Sequence, residues 1–174
     1  APSRVLSSLR YAAGGWESAT IRVLPTGKVQ AITGTSPHGQ GHDTAWSSIA
    51  SAKTGIDIDR FTLVWGDTDL TPVGLGTMGS RSLQQGGVAV HEAAIGLVAG
   101  APAVSKSWAD LGAGAEAGEL VEETVFKAAM PTYPFGSHVA VVEVDVDTGH
   151  VRHLRHIACD DAGTMVNPML LAGQ

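Results

Sequence analysis

One cysteine, Cys159, in 174 residues excludes an internal disulfide and a cysteine-built structural zinc site. A lone thiol, expected on a strand among apolar neighbours, fits a reducing compartment and does not suggest a reactive thiolate. Basic residues are also few, 11 against 17 acidic ones, for a formal net charge of -6. A chain so acidic lacks the broad basic face that phosphate backbones require, so nucleic acid is excluded as a partner. No apolar run approaches the roughly 20 residues of a membrane span. The opening APSRVLSSLR has no continuous apolar core of the signal-peptide kind. Together these absences make a soluble cytoplasmic protein the expectation.

What is present is a globular composition, 44% hydrophobic, in a chain long enough to bury one core. The chain starts without methionine and stops just after Asn167-Pro168, which reads as a helix opening, so a segment of a longer subunit is expected. It reads as a single segment with two sub-blocks, about 16–100 and 120–174, joined by an Ala/Gly-rich linker.

Ala19 to Leu24 and Lys28 to Thr33 alternate around Pro25-Thr26-Gly27, the pattern of a β-hairpin. The period then changes: Ala45, Ile49 and Ala52 fall at helical spacing, and Gly55 supplies the stop, giving a helix of about 13 residues. Phe61 to Trp65 reads as a short buried strand, and Ser82 to Ala99 as a second helix with Leu83, Val90, Ala94 and Leu97 on one side. Its Gly86-Gly87 pair costs roughly 1 kcal/mol per glycine relative to alanine, which implies a close approach to that face. Val121 to Ala128 is a further strand. A second hairpin then alternates from Val139 to Val146, turns at Asp147-Thr148-Gly149 and returns over Val151 to Cys159. The fold class expected is α+β, with β-hairpins and a mixed sheet packed with two or three helices.

Two loops organise this pattern, GTSPHGQGHD (residues 34–43) and GLGTMGSRS (residues 74–82). Each leads from a strand into a helix, where backbone N–H groups and the helix dipole favour an anion. Gly39 and Gly41 leave room for a ligand against the backbone, and Gln40 can donate and accept. Ser80 and Ser82 add hydroxyls. Arg81 adds a planar cationic fork suited to phosphate, or to bridging elements if buried. Neither loop matches a Walker or dinucleotide fingerprint.

Other clusters read as structural. His38 and His42 are four apart, but the intervening glycines oppose a helical metal pair. His150 and His156 are expected on one strand face with His153 on the other, which excludes a three-histidine facial cluster. Asp67, Asp69, Asp160 and Asp161 are expected to bond local N–H groups in turns.

Four ordered blocks carry a more specific signal: SPHGQGHDT, GDTDLTPVGLGTMGSRS, PFGSHVAVVEVDVDTGHVRHL and DDAGTMVNPMLLAGQ. They resemble successive blocks of the molybdenum-binding large subunit of the xanthine dehydrogenase and aldehyde oxidase family, in character nearest to the large chains of bacterial aerobic carbon monoxide dehydrogenases. The resemblance implies the molybdopterin-binding type of α+β fold. It implies that the two loops hold the pterin, its phosphates and, in bacterial members, an attached cytosine nucleotide, as molybdopterin cytosine dinucleotide. By motif position the implied contacts are His38, Gly39, Gln40, Thr77, Gly79, Ser80, Arg81, Ser82 and Gln174. It further implies hydroxylation of a small-molecule substrate, or carbon monoxide oxidation, with electrons passing to iron-sulfur and FAD-carrying flavin subunits. The family's catalytic glutamate lies beyond Gln174, so no catalytic residue is expected in this chain, and the stretch after Gly100 is shorter than the family's. The alternatives are an isolated structural or assembly domain without cofactor, and a generic anion-binding protein.

Overall fold

The computed structural model describes residues 15–71, 73–100, 120–130 and 132–173. A four-stranded sheet has the order β3-β2-β1-β4, formed by β1 (Trp16–Val23), β2 (Val29–Thr33), β3 (Phe61–Val64) and β4 (Val121–Lys127). β1 pairs antiparallel with both β2 and β4, whereas β2 and β3 are parallel and joined through helix α1 (His42–Thr54). Helix α2 (Val88–Gly100) packs with α1 over the sheet. A two-stranded sheet, β5 (Phe135–Val144) and β6 (Val151–Asp161), and a short helix α3 (Pro168–Gly173) complete the described structure. Among the described residues no helix is long and apolar enough to cross a membrane.

The period-2 rule explains the sheet's inner face: Ala19, Ile21 and Val23 of β1 and Val29 and Ala31 of β2 enter one cluster with Trp46, Ala50, Val90 and Leu97. Ala89, Ala93 and Ala94 are fully buried on α2, and their small side chains let that helix lie close to the sheet. Each buried Val, Ile or Leu side chain contributes roughly 1.5–3 kcal/mol. The α+β class, the mixed sheet and both hairpins agree with the sequence reading. Asn167 caps α3 as expected, its Oδ1 accepting from Met169 N–H at 3.1 Å and Leu170 N–H at 3.3 Å.

Four details differ. β3 is a half-buried edge strand, because among the described residues no strand pairs with its outer side. The strand at Val121 belongs to the first sheet, pairing with β1 across the expected linker, most of which lies outside the described residues. The helix expected from Ser82 begins as a π-helical turn, Ser82–Gly87, and the wider turn rotates Leu83 off the buried face to 43% exposure. Cys159 is exposed, since both faces of the β5–β6 hairpin lie open.

The glycine pair in that turn does face a close neighbour, though it is a side chain. A Cβ on Gly86 would stand 2.5 Å from Thr35 Cγ2, and Thr35 is held by Thr33 Oγ1 at 2.9 Å and by Trp46 Nε1–H at 3.0 Å. Gly86→Ala therefore sets better helix propensity against overpacking of a fixed neighbour. We expect overpacking to dominate, with a net loss of about 1–3 kcal/mol in urea unfolding. A gain in stability would show that Thr35 can move aside.

Candidate functional site

The first loop leaves β2 at Thr33 and enters α1 at His42. Gly39 (φ 95°) and Gly41 (φ 71°) are left-handed, so the chain turns sharply twice before the helix. A Cβ at Gly39 would meet nothing within 4 Å, whereas one at Gly41 would press to 2.6 Å from Leu170 Cδ1. Gly39 thus offers open backbone, and Gly41 is where α3 docks on the loop. His38 is exposed, and its N–H donates to Gln40 Oε1. The Gln40 carbonyl therefore shapes the loop from within.

His42, by contrast, is buried and stacks on Trp46 with centroids 4.7 Å apart. Its Nδ1 is buried without a hydrogen-bond partner among the described residues. Burial pushes its pKa below the ordinary 6.5; the Asp43 charge partly opposes this and His38 adds to it. His38 is exposed in the loop and His42 buried at the start of α1, and no group of three or more metal-ligating side chains among the described residues is arranged to hold an ion.

The second loop begins with a local turn of the kind expected from sequence, Asp67 Oδ1 accepting from Asp69 N–H at 2.9 Å and Leu70 N–H at 3.2 Å. At Gly74 it crosses the first loop. A Cβ on Gly34 would stand 2.5 Å from Gly74 Cα, and one on Gly74 would overlap Gly34 in turn. Only glycine at both positions permits this crossing. The fully buried Glu17 carboxylate lies beside it, accepting from Leu75 N–H at 3.3 Å and from Arg81 Nη1–H at 2.6 Å. Ser18 Oγ–H donates to Val73 O. Arg81 also donates to Gly76 O and Trp16 O. Of the two parts open to Arg81, the structure shows the bridge: its guanidinium points inward and ties the second loop to β1.

The outer part of this loop is exposed. Gly79 (φ 57°) and Ser80 (φ 58°) are successive left-handed residues, and for serine that conformation costs on the order of 1–3 kcal/mol. Ser82 Oγ–H lies 3.1 Å from Thr77 Oγ1, so these two hydroxyls pair at the base of the π-helical turn. The backbone N–H groups of Gly39, Gly41, Gly79 and Ser80 donate to no acceptor among the described residues. Two loops clasped at their bases thus present spare N–H donors beside helix starts, a donor set that fits a phosphate-bearing or otherwise anionic group. Gln174 lies outside the described residues.

On the second sheet the face assignment of the histidines changes. A register shift pairs Val141 with Arg155 and Val142 with His153, leaving Leu154 as an extra residue. The bulge brings His153 onto the face of His156, ring centroids 6.0 Å apart. Asp161 caps a local turn through Gly163 N–H as expected, but Asp160 reaches across the strands to His138 Nε2 at 3.0 Å.

Comparison with known proteins gives one family. The molybdopterin cofactor-binding domain family matches residues 4–174. The carbon monoxide dehydrogenase large chain of Afipia carboxidovorans is 35% identical over 193 aligned residues, spanning 91% of this chain and 24% of that protein. The corresponding large chain of Hydrogenophaga pseudoflava is 33% identical, spanning 92% of this chain and 24% of that protein. A crystal structure of a Cu,Mo-CO dehydrogenase superposes with a TM-score of 0.80 at 32% identity, covering 91% of this chain and 24% of that one. The chain therefore spans about a quarter of the length of these relatives.

Because the folded imidazole of His42 resists a proton that the unfolded chain accepts, its contribution to stability is complete above about pH 6.5 and falls as the pH drops toward its lowered value. The melting temperature of the parent should decline more steeply as the pH falls below about 6.5 than that of His42→Phe, which keeps a ring on Trp46 without the titration. Parallel pH profiles would contradict this.

Proposed function

We propose, since the chain belongs to the molybdopterin cofactor-binding domain family, that it grips the cofactor of a molybdenum hydroxylase large subunit through the two clasped loops. The observation that carries this reading is the set of unengaged N–H groups at Gly39, Gly41, Gly79 and Ser80 above a rigid crossing. In this reading His38, Gly39 and Gln40 hold one side of the group. Thr77, Gly79, Ser80 and Ser82 hold the other through N–H and hydroxyl groups, and Gln174 follows the helix that docks on Gly41. Arg81 contributes its backbone position, its side chain being committed to Glu17. When bound, the group supplies a molybdenum centre for oxygen-transfer redox chemistry. The chain's own part is to bind and orient it; no residue within the 174 acts as acid or base in this reading.

The likeness to carbon monoxide dehydrogenase large chains extends the proposal to the whole protein. The cofactor is the cytosine dinucleotide form, and the rest of the large subunit supplies the catalytic base and the remaining pocket. Separate iron-sulfur and FAD-bearing subunits carry electrons from a small-molecule substrate, and the assembly is cytoplasmic.

A second reading, a structural or assembly domain without cofactor, is favoured by the apolar side chains exposed on the β5–β6 hairpin, among them Phe135 at 77%. One experiment separates the two. Molybdenum and oxidised-pterin content is measured on the purified chain and on the complete large subunit, alongside light scattering. Pterin bound near one equivalent, reduced about tenfold or more in Gln40→Ala, is expected for a loop that depends on that side chain. Pterin-free protein that self-associates would favour the assembly reading.

A further inference from the structure

The second sheet carries a cluster that belongs to neither loop. In the β5–β6 register Gly136 faces Asp160, His138 faces Ala158 and Ala140 faces His156, which puts His138, His156 and Asp160 on one side of the hairpin. Asp160 Oδ1 accepts from His138 Nε2–H at 3.0 Å, and His138 Nδ1 lies 3.1 Å from His156 Nε2. A carboxylate on one ring nitrogen keeps the proton there and leaves the other nitrogen as a lone pair. His156 Nε2–H then donates to that lone pair. Gly136 makes the arrangement possible: any Cβ there would overlap Asp160 Oδ1, so only glycine lets the carboxylate lie across the strand toward His138.

We propose that His138 Nδ1 and His156 Nε2 form a two-nitrogen chelate for a late first-row divalent ion, with Asp160 as the positioning carboxylate. Imidazole nitrogens bind such ions at roughly 2.0–2.1 Å, and two of them in neighbouring coordination positions stand about 3 Å apart. The observed 3.1 Å fits without movement of the strands. The ion takes the place of the one shared proton: His156 changes tautomer, its single ring proton passing through solvent from Nε2 to Nδ1 with none released overall, and both lone pairs then bind the metal with no change of oxidation state. Water completes the coordination, which the exposure of His138 (51%) and Asp160 (52%) allows. Imidazole donors suit copper, nickel and zinc, and among these Cu²⁺ binds most strongly.

The test is equilibrium dialysis of the full 174-residue chain against Cu²⁺ alone, with electron paramagnetic resonance of the bound ion. One ion per chain with hyperfine splitting from two nitrogens is expected. His138→Gln or His156→Gln should each lower affinity at least tenfold and leave a single nitrogen. Asp160→Asn should keep both nitrogens and weaken binding about tenfold, the scale of an orienting partner. His150→Gln, in the turn, should bind as the parent does. Circular dichroism checks the hairpin, and the two histidines lie on different strands, so either variant tests the chelate if the other unfolds. No bound ion, a spectrum without nitrogen splitting, or parent-like binding in both His138→Gln and His156→Gln overturns the proposal.

Discussion

A buried carboxylate holds the two loops in place. Glu17 sits on the central strand with no solvent exposure, and an isolated charge there would be very costly. It is tolerated because donors surround it: Ser18 N–H at 3.0 Å, Leu75 N–H at 3.3 Å and the Arg81 guanidinium at 2.6 Å. A buried pair of this kind adds little net stability over apolar packing, but losing either member is expensive. Its effect is therefore geometric. It fixes the base of the second loop to β1, and the Gly34–Gly74 crossing fixes that loop to the first. The strained Ser80 backbone at the exposed end is then held by a frame that cannot relax around it.

The two sheets differ in how they are supported. The four-stranded sheet owes its order to a continuous core beneath α1 and α2. The β5–β6 hairpin has long, regular pairing but both faces open, and an isolated two-stranded sheet is marginal in water. Among the described residues of the second half, β4 completes the first sheet, Leu120, Phe126 and Val166 pack on the core, Leu170 rests on Gly41, and Thr132 Oγ1–H donates to Gln84 Oε1.

Local chemistry made much of the fold legible in the sequence. Pro25-Thr26-Gly27 and Asp147-Thr148-Gly149 lie in the connections of their hairpins, and Gly55 ends α1 in the left-handed conformation. The loops were legible for the same reason, since glycine clusters between a strand and a helix act over a few residues. Features set by distant partners were hidden. Glu17 carried no motif, and its partner lies 64 residues away. Arg81 read equally as ligand or bridge until that partner was in place. The single extra residue at Leu154 reverses which face His153 occupies, and no alternation pattern reveals a bulge of one residue.

With Arg81 committed to the interior, residues 34–43 and 74–82 present no other lysine or arginine. In the proposed reading, an anion in this cradle would be held by N–H groups and helix starts in a chain whose net charge is itself negative. Such a site gains little from long-range attraction, which raises association rates for oppositely charged partners. It depends on the fixed positions of its donors, and those positions are what the Glu17 pair and the glycine crossing secure. A rapidly exchanging small anion is poorly served by this arrangement. A group with several acceptors that is inserted once and retained is well served, because each preplaced donor adds affinity without new ordering cost.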